Sequence, residues 1–171
     1  QSRFGLGKPD TDERLSAETR DQRLNELISP MRLLWTGQPV SFEGQHVRFP
    51  EVILSPAPKG EIPIWCGGGS AAAMRRTAEH CQGWLGLWYP ADKAIEAVTQ
   101  LKAMRAESSR NNEPLDALVG LVGKPDAGTL TQLEAAGLTG IIATPWQMDD
   151  ARVQSLEAKQ AAIAGYAQRF M

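Results

Sequence analysis

The sequence predicts an α/β fold of parallel βα units over residues 62–171, with a helix and a β-hairpin inserted ahead of them at 20–61. Three observations carry that reading. Short apolar runs alternate four times with helical patterns, the signature of a parallel sheet with helical crossovers. Each apolar run ends on glycine, proline or aromatic residues. The first of them, in IPIWCGGGSAAAMRRTAEH, passes through three glycines straight into a helix.

The elements follow in order. Residues 1–19 are polar, with Gly5, Gly7 and Pro9 and no apolar period, and read as a loop segment entered from something upstream, as in a fragment of a longer chain. Residues 20–35 place Leu24, Leu27, Ile28, Met31 and Leu34 on one helical stripe. Pro30 falls within that stripe and predicts a kink or break near Ser29. VSFEGQHVRF reads as a hairpin turning at Glu43-Gly44, and EVILSPAPKGEIP as an extended segment whose prolines exclude helix. Ile64-Trp65-Cys66 is a short buried strand, followed by a helix over about 71–81. The second unit pairs Trp84–Leu87 with a helix at 91–108 that aligns Ile95, Val98, Leu101 and Met104. The third pairs Ala117–Val122 with 127–136, and the fourth Gly140–Ala143 with 149–169. Four parallel strands cannot close on themselves. They form an open sheet, a half-barrel, or part of a longer chain, because a closed barrel of eight units takes roughly 250 residues.

Composition bounds the function. The formal net charge of −2 gives no footprint for nucleic acid or an anionic membrane, and no apolar run is long enough to span a bilayer. Two cysteines, Cys66 and Cys81, make no disulfide framework, so a cytoplasmic setting is expected. Neither cysteine nor the two histidines, His46 and His80, show metal-ligand spacing, and no metal is expected. Cys66 has no neighbouring base in the sequence and reads as a buried strand thiol. Arg75-Arg76 reads as an exposed basic turn, and Glu26 as a helix-surface partner for Arg23 or Arg20.

The strongest chemical signal is the loop Gly67, Gly68, Gly69 and Ser70. Glycines let the backbone turn tightly and present bare N–H groups, and serine is a good N-cap for the helix that follows. Together they form either an anion site at a helix N-terminus or a tight turn with no ligand. The loop matches neither a dinucleotide fingerprint nor a P-loop. The other strand ends are Trp88-Tyr89-Pro90, Gly123-Lys124-Pro125 and Thr144-Pro145-Trp146. Ligands of α/β sheets sit beyond such ends. A rim with three aromatics, one lysine and an anion loop suits a planar cofactor bearing a phosphate, unless the aromatics merely seal the sheet.

From Arg20 to Trp146, about three-quarters of the chain, the sequence resembles the luciferase-like monooxygenase superfamily of flavin- and deazaflavin-dependent oxidoreductases. The stretches that carry the resemblance are RLNELISPMRLLWTGQPVSFEGQHVRFPEVILSPAP and IPIWCGGGSAAAMRRTAEHCQGW. Gln82 departs from the aspartate usual before Gly-Trp. The resemblance implies the C-terminal half of a (β/α)₈ TIM barrel, strands five to eight, with residues 62–66 as the fifth strand. It implies FMN or a deazaflavin (coenzyme F420) as cofactor and a small organic molecule as substrate, in monooxygenase or hydride-transfer chemistry. It further implies phosphate binding by Gly68, Gly69 and Ser70, a place for Trp88 near the ring, and a phosphate contact for Arg23. The first four strands, which hold much of the ring and substrate surface in that family, have no counterpart here. The expectation is therefore an enzyme as part of a longer parent, with a homodimer as a further possibility. The rivals are a non-catalytic half-barrel and an open α/β module binding another phosphorylated ligand.

Overall fold

In the computed structural model the described residues are 16–123, 125–143, 152 and 154–170. Residues 1–15, Lys124 and the Thr144-Pro145-Trp146 strand end lie outside them, as does the expected beginning of the last helix. The elements run α1 (Ala17–Leu34), β1 (Val40–Glu43), β2 (Arg48–Val52), β3 (Trp65–Gly67), α2 (Ala71–His80), β4 (Gly83–Tyr89), α3 (Ala91–Glu107), β5 (Asp116–Leu121), α4 (Ala127–Ala136), β6 (Gly140–Ile142) and α5 (Leu156–Phe170). Strands β3-β4-β5-β6 form a four-stranded parallel sheet in sequence order, with a helix crossing between each consecutive pair. β1 and β2 form a separate antiparallel hairpin. The described chain divides into two compact units, 16–84 with 101–115, and 85–100 with the described residues from 116 onward.

In the first unit, α1 is capped by Ser16, whose hydroxyl accepts from Thr19 N–H. The expected break at Pro30 does not occur, and the helix continues to Leu34. Pro30 is fully buried, so packing of its ring offsets the one helical hydrogen bond it cannot donate. The expected stripe is only partly an inner face: Ile28 is buried, whereas Leu24 and Met31 are exposed. The hairpin pairs Phe42 with Phe49, their rings stacked at 6.0 Å, and Glu43 with Arg48 in an ion pair of 2.8 Å. Glu26 has a different role from the one expected. Its carboxylate accepts the His46 backbone N–H at 2.7 Å, and it lies so close to Gly44 that a Cβ there has no room. The helix therefore clasps the hairpin turn.

β3 is not the buried strand expected: Trp65 and Gly67 are exposed and Cys66 is half-buried. Among the described residues it stands at the end of the strand order, with a neighbour on one side only. Trp65 lies against Gly83, where any side chain would collide with its ring. Gln82, the residue that departs from the family aspartate, holds this strand. Its side-chain carbonyl accepts from Ile64 N–H at 2.9 Å, and its amide donates to Glu61 at 2.7 Å.

In the second unit, β5 and β6 pair in parallel with Leu118 opposite Gly140. Thr139 bridges them, accepting the Ala117 N–H and donating to the Ala117 carbonyl. α4 starts at the Asp126 cap and stops at Gly137, whose φ of 101° closes the helix in the left-handed region. Helix α3 is divided between the units at Gln100, and its buried positions are Ala94 and Val98 in the second and Leu101 and Arg105 in the first.

Candidate functional site

The glycine loop joins β3 to α2. Ser70 caps the helix with extended backbone, and its hydroxyl accepts the Ala73 N–H at 3.2 Å. The first helical backbone bond is Met74 N–H to the Ser70 carbonyl, so the amides of Ala71 and Ala72 lie ahead of the ladder. The Ser70 oxygen accepts one bond and still carries its own proton to donate.

Gly68 shapes the loop. Its φ is 104°, and a Cβ there would sit 3.3 Å from the Ala73 Cβ. Its carbonyl accepts the indole N–H of Trp84 at 2.9 Å. Trp84 is fully buried, so this carbonyl points inward. A trans peptide sets the N–H of Gly69 opposite that carbonyl, directing it outward. The exposed residues 67–72 thus present an outward glycine amide, a hydroxyl and the start of a helix.

The opposite end of α2 is closed by cations. Arg32 donates to the His80 carbonyl at 2.7 Å. Arg105 donates to the carbonyls of Ala78 at 2.6 Å, Cys81 at 3.0 Å and Pro114 at 3.1 Å. Arg105 is 4% exposed, and burial is the main cause that lowers its pKa, with the neighbouring charge of Arg110 second. Two guanidinium groups neutralise the negative end of the helix dipole and leave its positive end at the loop.

Arg75 is exposed as expected, but Arg76 is not: it is 5% exposed and turns back to α1. It donates to Asn25 at 2.5 Å and forms an ion pair with Asp21 at 2.6 Å. The helical period explains the split, since Ala73, Thr77 and Met74 beside Arg76 are all buried. Arg23 is exposed on α1. Asp21 and Asn25 share the face that meets Arg76, and a residue midway between them in sequence points to the other side of the helix.

Trp88 lies in the second unit at the end of β4. It is 71% exposed and has φ 63°, the one described non-glycine residue in the left-handed region. For a bulky side chain that backbone costs about 1–3 kcal/mol and persists only where its surroundings impose it. Trp84 and Arg105 were not singled out from sequence, and Arg76 was read there only as part of an exposed basic turn. Trp84 was visible as the tryptophan of the Gln82-Gly83-Trp84 motif, whereas the two arginines carry no local signal that distinguishes them from surface cations. Among the described residues no cluster of three or more His, Cys, Asp or Glu could hold a metal ion, and no helix is long and apolar enough to cross a membrane.

Residues 2–125 match the profile of the luciferase-like monooxygenase family. The chain belongs to that family. An uncharacterized protein of Mycobacterium tuberculosis is 31% identical over 123 residues, covering 72% of this chain and 42% of that protein. An F420-dependent glucose-6-phosphate dehydrogenase of Nocardia farcinica is 29% identical over 105 residues, 58% of this chain and 30% of the relative. The chain thus spans less than half the length of these curated relatives. Among solved structures, a riboflavin lyase crystallised with modified FMN and riboflavin aligns with TM-score 0.49 and 16% identity, over 71% of this chain and 33% of that one. DmoA from Hyphomicrobium sulfonivorans aligns with TM-score 0.48 and 18% identity, over 73% and 32%.

Proposed function

We propose that this chain supplies the phosphate-binding part of a flavin- or deazaflavin-dependent oxidoreductase acting on a small organic molecule. The observation that carries the reading is the Gly68-Gly69 peptide, anchored inward by Trp84 so that the next amide faces out beside the Ser70 hydroxyl. Family membership supports it, as does the F420 dependence of the Nocardia farcinica relative. The residues fit a phosphate monoester or diester: two or more free amides, one hydroxyl donor, a helix dipole and no carboxylate in the first turn of α2. FMN or coenzyme F420, when bound, supplies the hydride or oxygen chemistry. Gly68, Gly69 and Ser70 hold the phosphate, with Gly67 leading the backbone into the turn. Trp88 offers its indole to the ring system, and its exposure and imposed backbone support that role. Arg23 belongs at most to the outer edge of phosphate recognition, because its face of α1 is not the one that meets α2. Residues 62–171 are read as the C-terminal four units of a (β/α)₈ barrel, with 20–61 as the helix–hairpin insertion and 1–19 as a leading segment. A cytoplasmic setting is consistent with two free thiols.

Ser70→Ala tests the loop. Loss of one hydrogen bond to a charged acceptor, about 1.5–3 kcal/mol, should weaken FMN or F420 binding by roughly tenfold to a hundredfold. Riboflavin, which lacks the phosphate, should bind variant and wild type alike. Equal loss for FMN and riboflavin, or no loss for either, removes the phosphate from this loop.

A further inference from the structure

The sequence contains two cysteines, and the fold brings them together although they stand on different elements. Cys66 lies in β3 one residue before the glycine loop, and Cys81 is the C-cap of α2. Their sulfurs are 3.1 Å apart, with the Cys81 thiol donating to Cys66. A disulfide needs about 2.05 Å, so closure requires an approach of about 1 Å. Cys81 is held on three sides. The Cys81 N–H is held by Thr77, its carbonyl by Arg105, and its sulfur contacts the Arg76 carbonyl at 3.7 Å. Cys66 is followed by three glycines with no side chains to resist a shift. The two also differ in access: Cys66 is half-buried, whereas Cys81 is 0% exposed.

We infer that Cys66 and Cys81 form a reversible dithiol–disulfide couple, in which Cys66 reacts first with a peroxide and Cys81 resolves the product. In the first step the Cys66 thiolate attacks one peroxide oxygen. An S–O bond forms, the O–O bond breaks, and the departing hydroxide takes up the proton that Cys66 had released, giving water. Sulfur is oxidised to a sulfenic acid and the peroxide is reduced. In the second step the Cys81 sulfur attacks the sulfenic sulfur. The S–S bond forms, the S–O bond breaks, and hydroxide leaves with the Cys81 proton as a second water. Two thiols and one hydrogen peroxide thus give one disulfide and two waters, and an external dithiol reverses the change.

The electrostatics agree with this division of roles. The Cys66 pKa is lowered to about 7: the hydrogen bond from Cys81 is the main cause, burial opposes it, and the charge of Arg76 adds a smaller lowering. Donating that same bond, together with burial, pushes the Cys81 thiol up. At neutral pH Cys66 is therefore substantially thiolate, and Cys81 keeps the proton it later gives to the leaving hydroxide.

The test uses reduced protein treated with equimolar hydrogen peroxide, alkylated with iodoacetamide and weighed intact. Both thiols should disappear together in a monomeric product lighter by two hydrogens, and dithiothreitol should restore them. In Cys81→Ser the Cys66 sulfenic acid should persist and be trapped by dimedone, and in Cys66→Ser the buried Cys81 should stay reduced. A further readout separates this arrangement from mere proximity. The alkylation rate of Cys66 at pH 7 should fall roughly tenfold to twentyfold in Cys81→Ala, as the thiol returns toward about 8.5. The inference is overturned if wild-type protein keeps both thiols alkylatable, if Cys66 alone proceeds to sulfinate, or if the disulfide links two chains. The wild-type measurement decides even if a variant fails to fold.

Discussion

Replacing Arg105 by methionine should destabilise the chain more than any other single change of a charged residue described above. The guanidinium donates to three backbone carbonyls, two from the C-terminal end of α2 and one from Pro114 ahead of β5. A hydrogen bond from a charged donor contributes about 1.5–3 kcal/mol net. Taking the lower figure for each bond and subtracting roughly 1–2 kcal/mol for relieving a buried charge leaves about 3 kcal/mol. Methionine fills a similar volume, so little of that loss reflects a cavity. In urea unfolding, Arg105→Met should move the midpoint with the slope unchanged, and the melting temperature should drop by roughly 6–12 °C. Arg105→Lys keeps the charge but cannot fork to three acceptors, and should recover only part of the loss. A methionine variant within about 0.5 kcal/mol of wild type would mean that water satisfies these carbonyls and that Arg105 is not the clamp on α2.

Two further outcomes are expected. Trp88→Phe should remove much of the indole quenching seen on flavin or deazaflavin binding and slow turnover, whereas a lower melting temperature with normal quenching and turnover would leave Trp88 as rim packing. The chain should self-associate at micromolar concentration in sedimentation, because Leu87, Trp88 and Val122 are each more than half exposed; a monodisperse monomer would count against that.

How much of this was legible in the sequence depends on the range of the cause. α4 emerged with the expected bounds because its cap, Asp126, and its stop, Gly137, are local signals. The hairpin and the α2 start were equally local. Reading failed where a distant partner decided the outcome. Pro30 was read as a kink or a break, and of these the break is absent, its ring being buried within a helix that runs to Leu34. Arg76 and Arg105 look like any surface cation until the fold sets Asp21, Asn25 and bare carbonyls beside them. Cys66 was assigned to a buried strand because nothing in sequence shows that β3 stands at the end of the described strand order with Cys81 beside it. For the loop, sequence gave the residues but not the direction of the Gly69 amide, which depends on an indole sixteen residues from Gly68.

The first turns of the helices give the loop reading its sharpest test. α1 carries Glu18 there, α3 Asp92 and α5 Glu157, and α4 has the carboxylate of Asp126 as its cap. Among the described helices, α2 alone has neither an acidic cap nor an acid in its first turn. For stability alone this is a lost opportunity, since an acid there is worth about 0.3–1 kcal/mol. Ala72→Glu should therefore act with opposite signs on two measurements. It should raise the stability of the ligand-free protein by a few tenths of a kcal/mol to about 1. It should also weaken FMN or F420 binding by tenfold or more, because a fixed carboxylate competes for the same positive end and repels the phosphate. Ala72→Gln, isosteric and neutral, should do neither. A stabilised glutamate variant that binds the phosphorylated cofactor as well as wild type would show that the bare helix start serves no anion, and that the loop is only a turn.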